Sequence, residues 1–159
     1  MTVYIPHELD RLRLEQNLTL RELARRSGIS TPTVTGVLGG RANLSSTIAV
    51  ANALGYSLSW TFYDDDACKR RLLLLSGSLQ RQLSVFRQRY TRASIPSLRA
   101  PRLSVNAIRD LERGGDCRFE TIDRLGRLLN LEFTLVRGNI NNVMDAPSAK
   151  ERDHAISPT

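Results

Sequence analysis

Aromatic residues are scarce in this chain, 6% of 159 positions, so any core must come mainly from leucine, isoleucine, valine and alanine. Aliphatic cores of that kind suit short helical bundles. Cysteine is almost missing. Cys68 and Cys117 are too few and too far apart for a disulfide framework, and free thiols agree with a reducing, cytoplasmic setting. Histidine is equally rare. His7 and His154 lie far apart and outside metal-ligand spacing, so neither a zinc site nor a histidine base is expected. Long apolar runs are absent too. The longest aliphatic run is Leu72 to Leu75, so no membrane partner is expected, and the first residues lack the apolar core of an export signal. There is no glycine-rich phosphate loop, no paired carboxylates in an apolar setting and no Ser/His/Asp arrangement. The chain is therefore not expected to be an enzyme or to hold a cofactor. Asp64-Asp65-Asp66 reads as a solvated turn and helix cap rather than a metal site.

Lysine is the last scarcity. Of 23 basic residues only Lys69 and Lys150 are lysines; the rest are arginines, whose planar fork suits phosphates and guanine edges. The formal net charge is +7 and the isoelectric point about 10.2, a balance that favours an anionic partner. The charge is uneven. Residues 1–77 carry 9 basic against 7 acidic residues, residues 78–159 carry 14 against 9. With 41% hydrophobic residues the chain can pack a core, as one ordinary domain or two very small ones.

Residues 1–6 read as an extended arm. A helical pattern with Leu9 and Leu12 on one side follows. Thr19-Leu20-Arg21-Glu22 has the form of a capping box opening a second helix, which Gly28 ends. Ser30 or Thr31 caps a third, with Pro32 in its first turn, Val34, Val37 and Leu38 facing inward, and Gly39-Gly40 as the stop. Ser45 or Ser46 opens a fourth, which Gly55 closes. Residues 56–63 then alternate, with Tyr56, Leu58, Trp60 and Phe62 against small polar residues, and predict a strand. Trp60 belongs to a core or interface.

The second half repeats the first. Residues 103–114 align with residues 29–40 in their apolar positions, capping serine and terminal glycine. Thr121, Ile122, Leu125, Leu128 and Leu129 repeat the fourth helix, and 131–136 predict a second strand. A second helix over Ser94 to Arg102 is compromised by Pro96 and Pro101. The expected organisation is a first unit at 1–63, a linker or connecting helix at 64–78, a second, degenerate unit at 79–137 and a disordered tail at 138–159.

The spacing Thr19-Leu20-Arg21-Glu22-Leu23-Ala24, then Gly28-Ile29-Ser30, then Val34, Val37 and Gly40 resembles the Cro/C1-type (XRE-like) helix-turn-helix family of phage repressors and bacterial regulators. The resemblance implies a mainly α fold of two lambda-repressor-like bundles in tandem, each followed by a short strand, with the strands able to pair. It implies a sequence-specific double-stranded DNA-binding regulator, a repressor before an activator, located at the nucleoid in the cytoplasm. Its third helix would lie in the major groove. The implied DNA-binding residues are Thr19, Arg21, Ser30, Thr31, Pro32, Thr33, Thr35, Arg41 and Asn43 in the first unit. In the second they are Ser104, Asn106, Arg109, Arg113 and Arg118. Arg21, Arg41 and Asn43 are placed for phosphates; Thr31, Pro32, Thr33 and Thr35 suit thymine methyls and single hydrogen bonds; Asn106 suits adenine and Arg109 guanine. In the second unit Arg87 and Glu112 stand where the family holds an inward ion pair, while Arg13 and Leu38 stand there in the first. The two strands pair within one chain as a pseudo-dimer, or between two chains of a homodimer. The alternative function is an antitoxin, or a phage or mobile-element protein, that binds a protein partner through its second unit or its tail.

Overall fold

The computed structural model of the chain describes residues 3–91 and 104–138. These residues form seven helices and one three-stranded sheet. The first half contains α1 (Ile5–Glu15), α2 (Leu20–Ser27), α3 (Thr31–Leu38), α4 (Leu44–Ala53) and β1 (Tyr56–Asp64). The short β2 (Lys69–Leu72) follows, then α5 (Leu79–Tyr90), α6 (Val105–Glu112), α7 (Phe119–Leu128) and β3 (Leu131–Arg137). The expected helix over 94–102 and the expected tail from 139 onward lie outside the described residues.

Three local expectations are corrected. Residues 1–6 are not all arm, because α1 begins at Ile5, and both Ile5 and Pro6 are buried. Proline is accommodated there because the first N–H groups of a helix have no intrahelical acceptor. Residues 64–78 do not hold a connecting helix. Asp64 accepts from the N–H groups of Asp66 and Ala67 in a turn, and Lys69–Leu72 returns antiparallel to β1, with Thr61 opposite Leu72 and Asp64 opposite Lys69. The open edge of β1 offers backbone partners, and the basic, leucine-rich stretch has no apolar period that would give a helix a face to bury. The aspartate run is thus a hairpin turn rather than a helix cap. Finally, Asn43, not Ser45 or Ser46, holds the position at the start of α4, and its side chain makes no cap hydrogen bond there.

The alternating stretches do form strands, and they pair with each other inside one chain. β1 lies between β2 and β3, antiparallel to both. Across β1 and β3, Leu58 faces Leu135, Trp60 faces Phe133 and Phe62 faces Leu131. This register puts the apolar positions of both strands on one face, where α4 and α7 cover them. Trp60 is fully buried, stacks on Phe133 at 3.7 Å between ring centroids and donates its indole N–H to the Leu79 carbonyl at 2.9 Å. It is core, as its pattern predicts. The α7 backbone passes so close that a Cβ on Gly126 would lie 2.3 Å from a Trp60 ring carbon. A continuous set of buried side chains runs from Ile5 through Leu9, Val34 and Val50 to Ile122, Leu125 and Phe133.

The loops that precede α4 and α7 also meet. Leu44 N–H donates to Cys117 O at 2.7 Å and Phe119 N–H to Ala42 O at 3.0 Å, around a single bridge between Asn43 and Arg118.

Candidate nucleic-acid interface

The α2–turn–α3 segment is built by its polar punctuation. The Thr19 hydroxyl accepts from Glu22 N–H at 3.1 Å and donates to the Glu22 carboxylate at 3.0 Å, closing the first turn of α2. Gly28 ends that helix at φ +73°, left-handed backbone that residues with a Cβ rarely adopt, and its N–H returns to Ala24 O. Ser30 then caps α3 by accepting from Thr33 N–H at 3.2 Å, and the two hydroxyls lie 2.7 Å apart. Leu23 and Ala24 of α2 and Val34 and Val37 of α3 are buried between the helices. Because two faces of a helix cannot both be inward, burial of Val34 and Val37 turns the rest of α3 outward.

Thr31, Pro32 and Thr35 are exposed, and Thr33 and Gly36 half-exposed. Thr33 is tied to Ser30, and Thr35 donates to Thr31 O at 3.2 Å. What this face offers an approaching partner is therefore mostly methyl groups and hydroxyl acceptors. Exposed Arg21 stands in the first turn of α2, and exposed Arg41 follows α3, its guanidinium folded over Gly39. Arg25 and Arg26, which the sequence reading passed over, are exposed in the last turn of α2. They lie on the solvent side of a helix whose opposite face is buried, a signal the periodicity already contained.

The second half presents a comparable helix. Ser104 caps α6 by accepting from Ala107 N–H at 3.1 Å. Ile108 and Leu111 are buried, while Asn106, Ala107, Arg109 and Asp110 are exposed. Arg113 closes α6 and Arg118 opens α7, both exposed. Arg87 does reach Glu112. Its Nε donates to Oε1 at 2.6 Å and its Nη2 to Oε2 at 2.9 Å, between side chains about one tenth exposed. In the first half Arg13 turns instead to Asp10 at 2.9 Å and to Leu18 O at 2.9 Å.

Of the fourteen residues singled out in the sequence, all lie at the surface or half-exposed, and three, Thr19, Ser30 and Ser104, spend their hydroxyls as helix caps. Asn43 departs most from expectation. It lies in the joint opposite Arg118, and its side chain is among the groups that lower the Asp116 pKa. Asp116 also accepts from Ser45 N–H and from the Ser45 hydroxyl. Burial raises the Asp116 carboxyl, but these donors outweigh it and hold its pKa below the ordinary value. Sequence reasoning missed Asp116. Its only trace there is the extra residue that the second half carries before its last helix.

The segment with left-handed Gly28 in its turn and buried Ala24 lies within a stretch that matches a known family. Residues 9–61, one third of the chain, match the family model described as Helix-turn-helix. Over those residues the chain is similar to Cro/C1-type helix-turn-helix units. Units of this family bind DNA and occur in transcription regulators. The matched segment begins inside α1 and ends inside β1, so the helix-turn-helix unit includes α2, α3 and α4 entire. No curated protein and no solved structure matches the chain. No helix among the described residues is long and apolar enough to cross a membrane, and no group of three or more potential ligands gathers there to hold a metal ion.

Proposed function

We propose that this chain is a sequence-specific double-stranded DNA-binding transcriptional regulator, a repressor, whose α3 enters the major groove. The observation that carries this reading is the two-sidedness of α3. Val34 and Val37 are sealed inside, and Thr31, Pro32 and Thr35 stand exposed between the arginine-bearing start of α2 and Arg41. Helix-turn-helix recognition needs that division: base edges at the first turns of the helix, phosphates at its flanks. Repression asks only for occupancy, whereas activation needs an additional surface for polymerase.

The second half supports a wider reading. α6 carries the same capping serine, buried pair and outward polar face as α3, and β1 pairs with β3 within the chain. We read residues 1–63 and 79–137 as two tandem units making an intrachain pseudo-dimer, joined through 64–78. The pairing of β1 with β3 favours this over a homodimer built by exchange of those strands.

Fluorescence anisotropy with a labelled 30-bp duplex at low salt tests the reading. Binding that weakens steeply with added salt is expected. Thr33→Glu is expected to abolish preference for the selected operator while the helical circular dichroism is kept. Absence of affinity for any duplex at low salt rejects the proposal.

A further inference from the structure

We infer that the DNA site is non-palindromic, and that one protein molecule reads two unlike half-sites with α3 and α6. This rests on the DNA-binding reading above and deepens it. From α4 onward, the two halves correspond at an offset of 75 residues. Leu44 matches Phe119, Val50 matches Leu125, Leu54 matches Leu129, and Gly55 matches Asn130, both of the last two at positive φ. At two places the chain pairs with itself at that same offset: Asn43 with Arg118, and Ser59 with Thr134. Likewise the Leu44-to-Cys117 and Phe119-to-Ala42 hydrogen bonds exchange into one another. Where a residue pairs with its own counterpart, the midpoint of the pair lies on a two-fold axis, and two such midpoints define one.

A two-fold axis leaves position along itself unchanged. Extended to α3 and α6, which correspond at an offset of 74 residues and share a capping serine and a buried pair, the axis sets both helices facing one side with directions reversed, as two half-sites on one face of a duplex require. Five chain steps lead from Leu38 at the end of α3 to Asn43 beside the axis, and six from Glu112 to Arg118, a reach of at most roughly 17–22 Å on each side. A centre-to-centre spacing of about 34 Å, one turn of B-DNA, is within that compass.

In a homodimer this symmetry is exact and the operator is a palindrome. Here the axis relates different residues. α3 offers Thr31, Pro32, Thr33 and Thr35, methyl-rich and without a long polar side chain. α6 offers Asn106, which can grip adenine with two hydrogen bonds, and Arg109, which can do the same to guanine. The halves they select cannot be copies of each other.

Selection from a random 30-bp duplex library, followed by sequencing, tests this, with native mass spectrometry of the enriched complex. Two unlike half-sites about one turn apart are expected, with one chain per duplex. Asn106→Ala is expected to weaken binding to the enriched duplex about 5- to 150-fold, the equivalent of 1–3 kcal/mol for a lost base contact, and on reselection to relax one half only. Arg109→Ala serves as the second variant, and both sites are exposed, so thermal melts are expected to match the parent chain. A palindromic consensus with two chains per duplex overturns the inference and leaves the DNA-binding reading standing. So does a single half-site indifferent to both variants. No enrichment over the library removes both.

Discussion

Asp116 accepts the hydroxyl proton of Ser45 at 2.7 Å and the Ser45 backbone N–H at 3.2 Å, across 71 positions of sequence. A carboxylate from the second half thereby caps a helix of the first, because α4 makes no side-chain cap of its own. Asp116→Ala is expected to lower stability by about 1 kcal/mol, the usual cost of a lost N-cap. Urea unfolding followed by Trp60 fluorescence measures this. A loss no larger than that of an exposed control such as Glu120→Ala rejects the cross-cap.

The same carboxylate supplies a pH dependence. Its pKa is held below the unfolded value, so its contribution is complete above the ordinary aspartate range and is lost as pH falls through the folded pKa. Asp116→Asn is expected to flatten the acid limb of stability against pH. An acid limb that keeps its slope in the variant excludes Asp116 as its source.

The Arg87–Glu112 pair is double-hydrogen-bonded and nearly buried, whereas Arg13 holds the exposed end of Asp10. Removing one member of a buried pair strands the other charge, so Arg87→Ala is expected to cost roughly 3 kcal/mol. In a Glu112→Gln background much of that cost disappears. Arg13→Ala is expected to cost less. Equal losses from the two arginine variants count against a special role for the buried pair.

Gly126 has no room for a methyl group beside Trp60. Gly126→Ala is expected to destabilise by about 1–3 kcal/mol despite alanine's better helix propensity. Combining it with Trp60→Leu relieves the contact, so the two losses do not add. Additive losses in a double-mutant cycle refute direct steric coupling.

Cys117 sits half-buried in the joint, and burial, helped by Asp116, pushes its thiol up to about 11, while Cys68 is exposed on the hairpin turn. At pH 8 iodoacetamide is expected to label Cys68 well before Cys117. Because the folded pKa of Cys117 is raised, its protonated state stabilises the fold below the unfolded thiol value, and that contribution fades as pH rises towards 11. Peptide mapping of the alkylated chain decides; faster labelling at Cys117 contradicts the buried joint.

Arg21 and Arg41 are exposed and, among the described residues, hold no ion pair. If they meet phosphates, each alanine variant lowers the slope of log affinity against log salt by about one and weakens all duplexes alike. An unchanged slope in both variants removes them from the interface.

The polar signals at Thr19, Gly28 and Ser30 and the inward Val34 and Val37 were legible without coordinates, because a helix cap, a left-handed turn and a 3.6-residue period are local events. The two strands were legible for the same reason, through the alternation around Trp60 and Phe133. Asp116, Gly126 and β2 were not. Asp116 matters only because Ser45 is brought to it from the other half, Gly126 only because Trp60 arrives against its helix, and Lys69–Leu72 becomes a strand only because β1 leaves an edge open. The amino-acid order alone determined the helix-turn-helix and its outward threonines. The pairing of β1 with β3 and the joint between the loops before α4 and α7 were decided by tertiary structure, since hydrogen bonds between distant segments depend on where the backbone returns and not on what is adjacent along it.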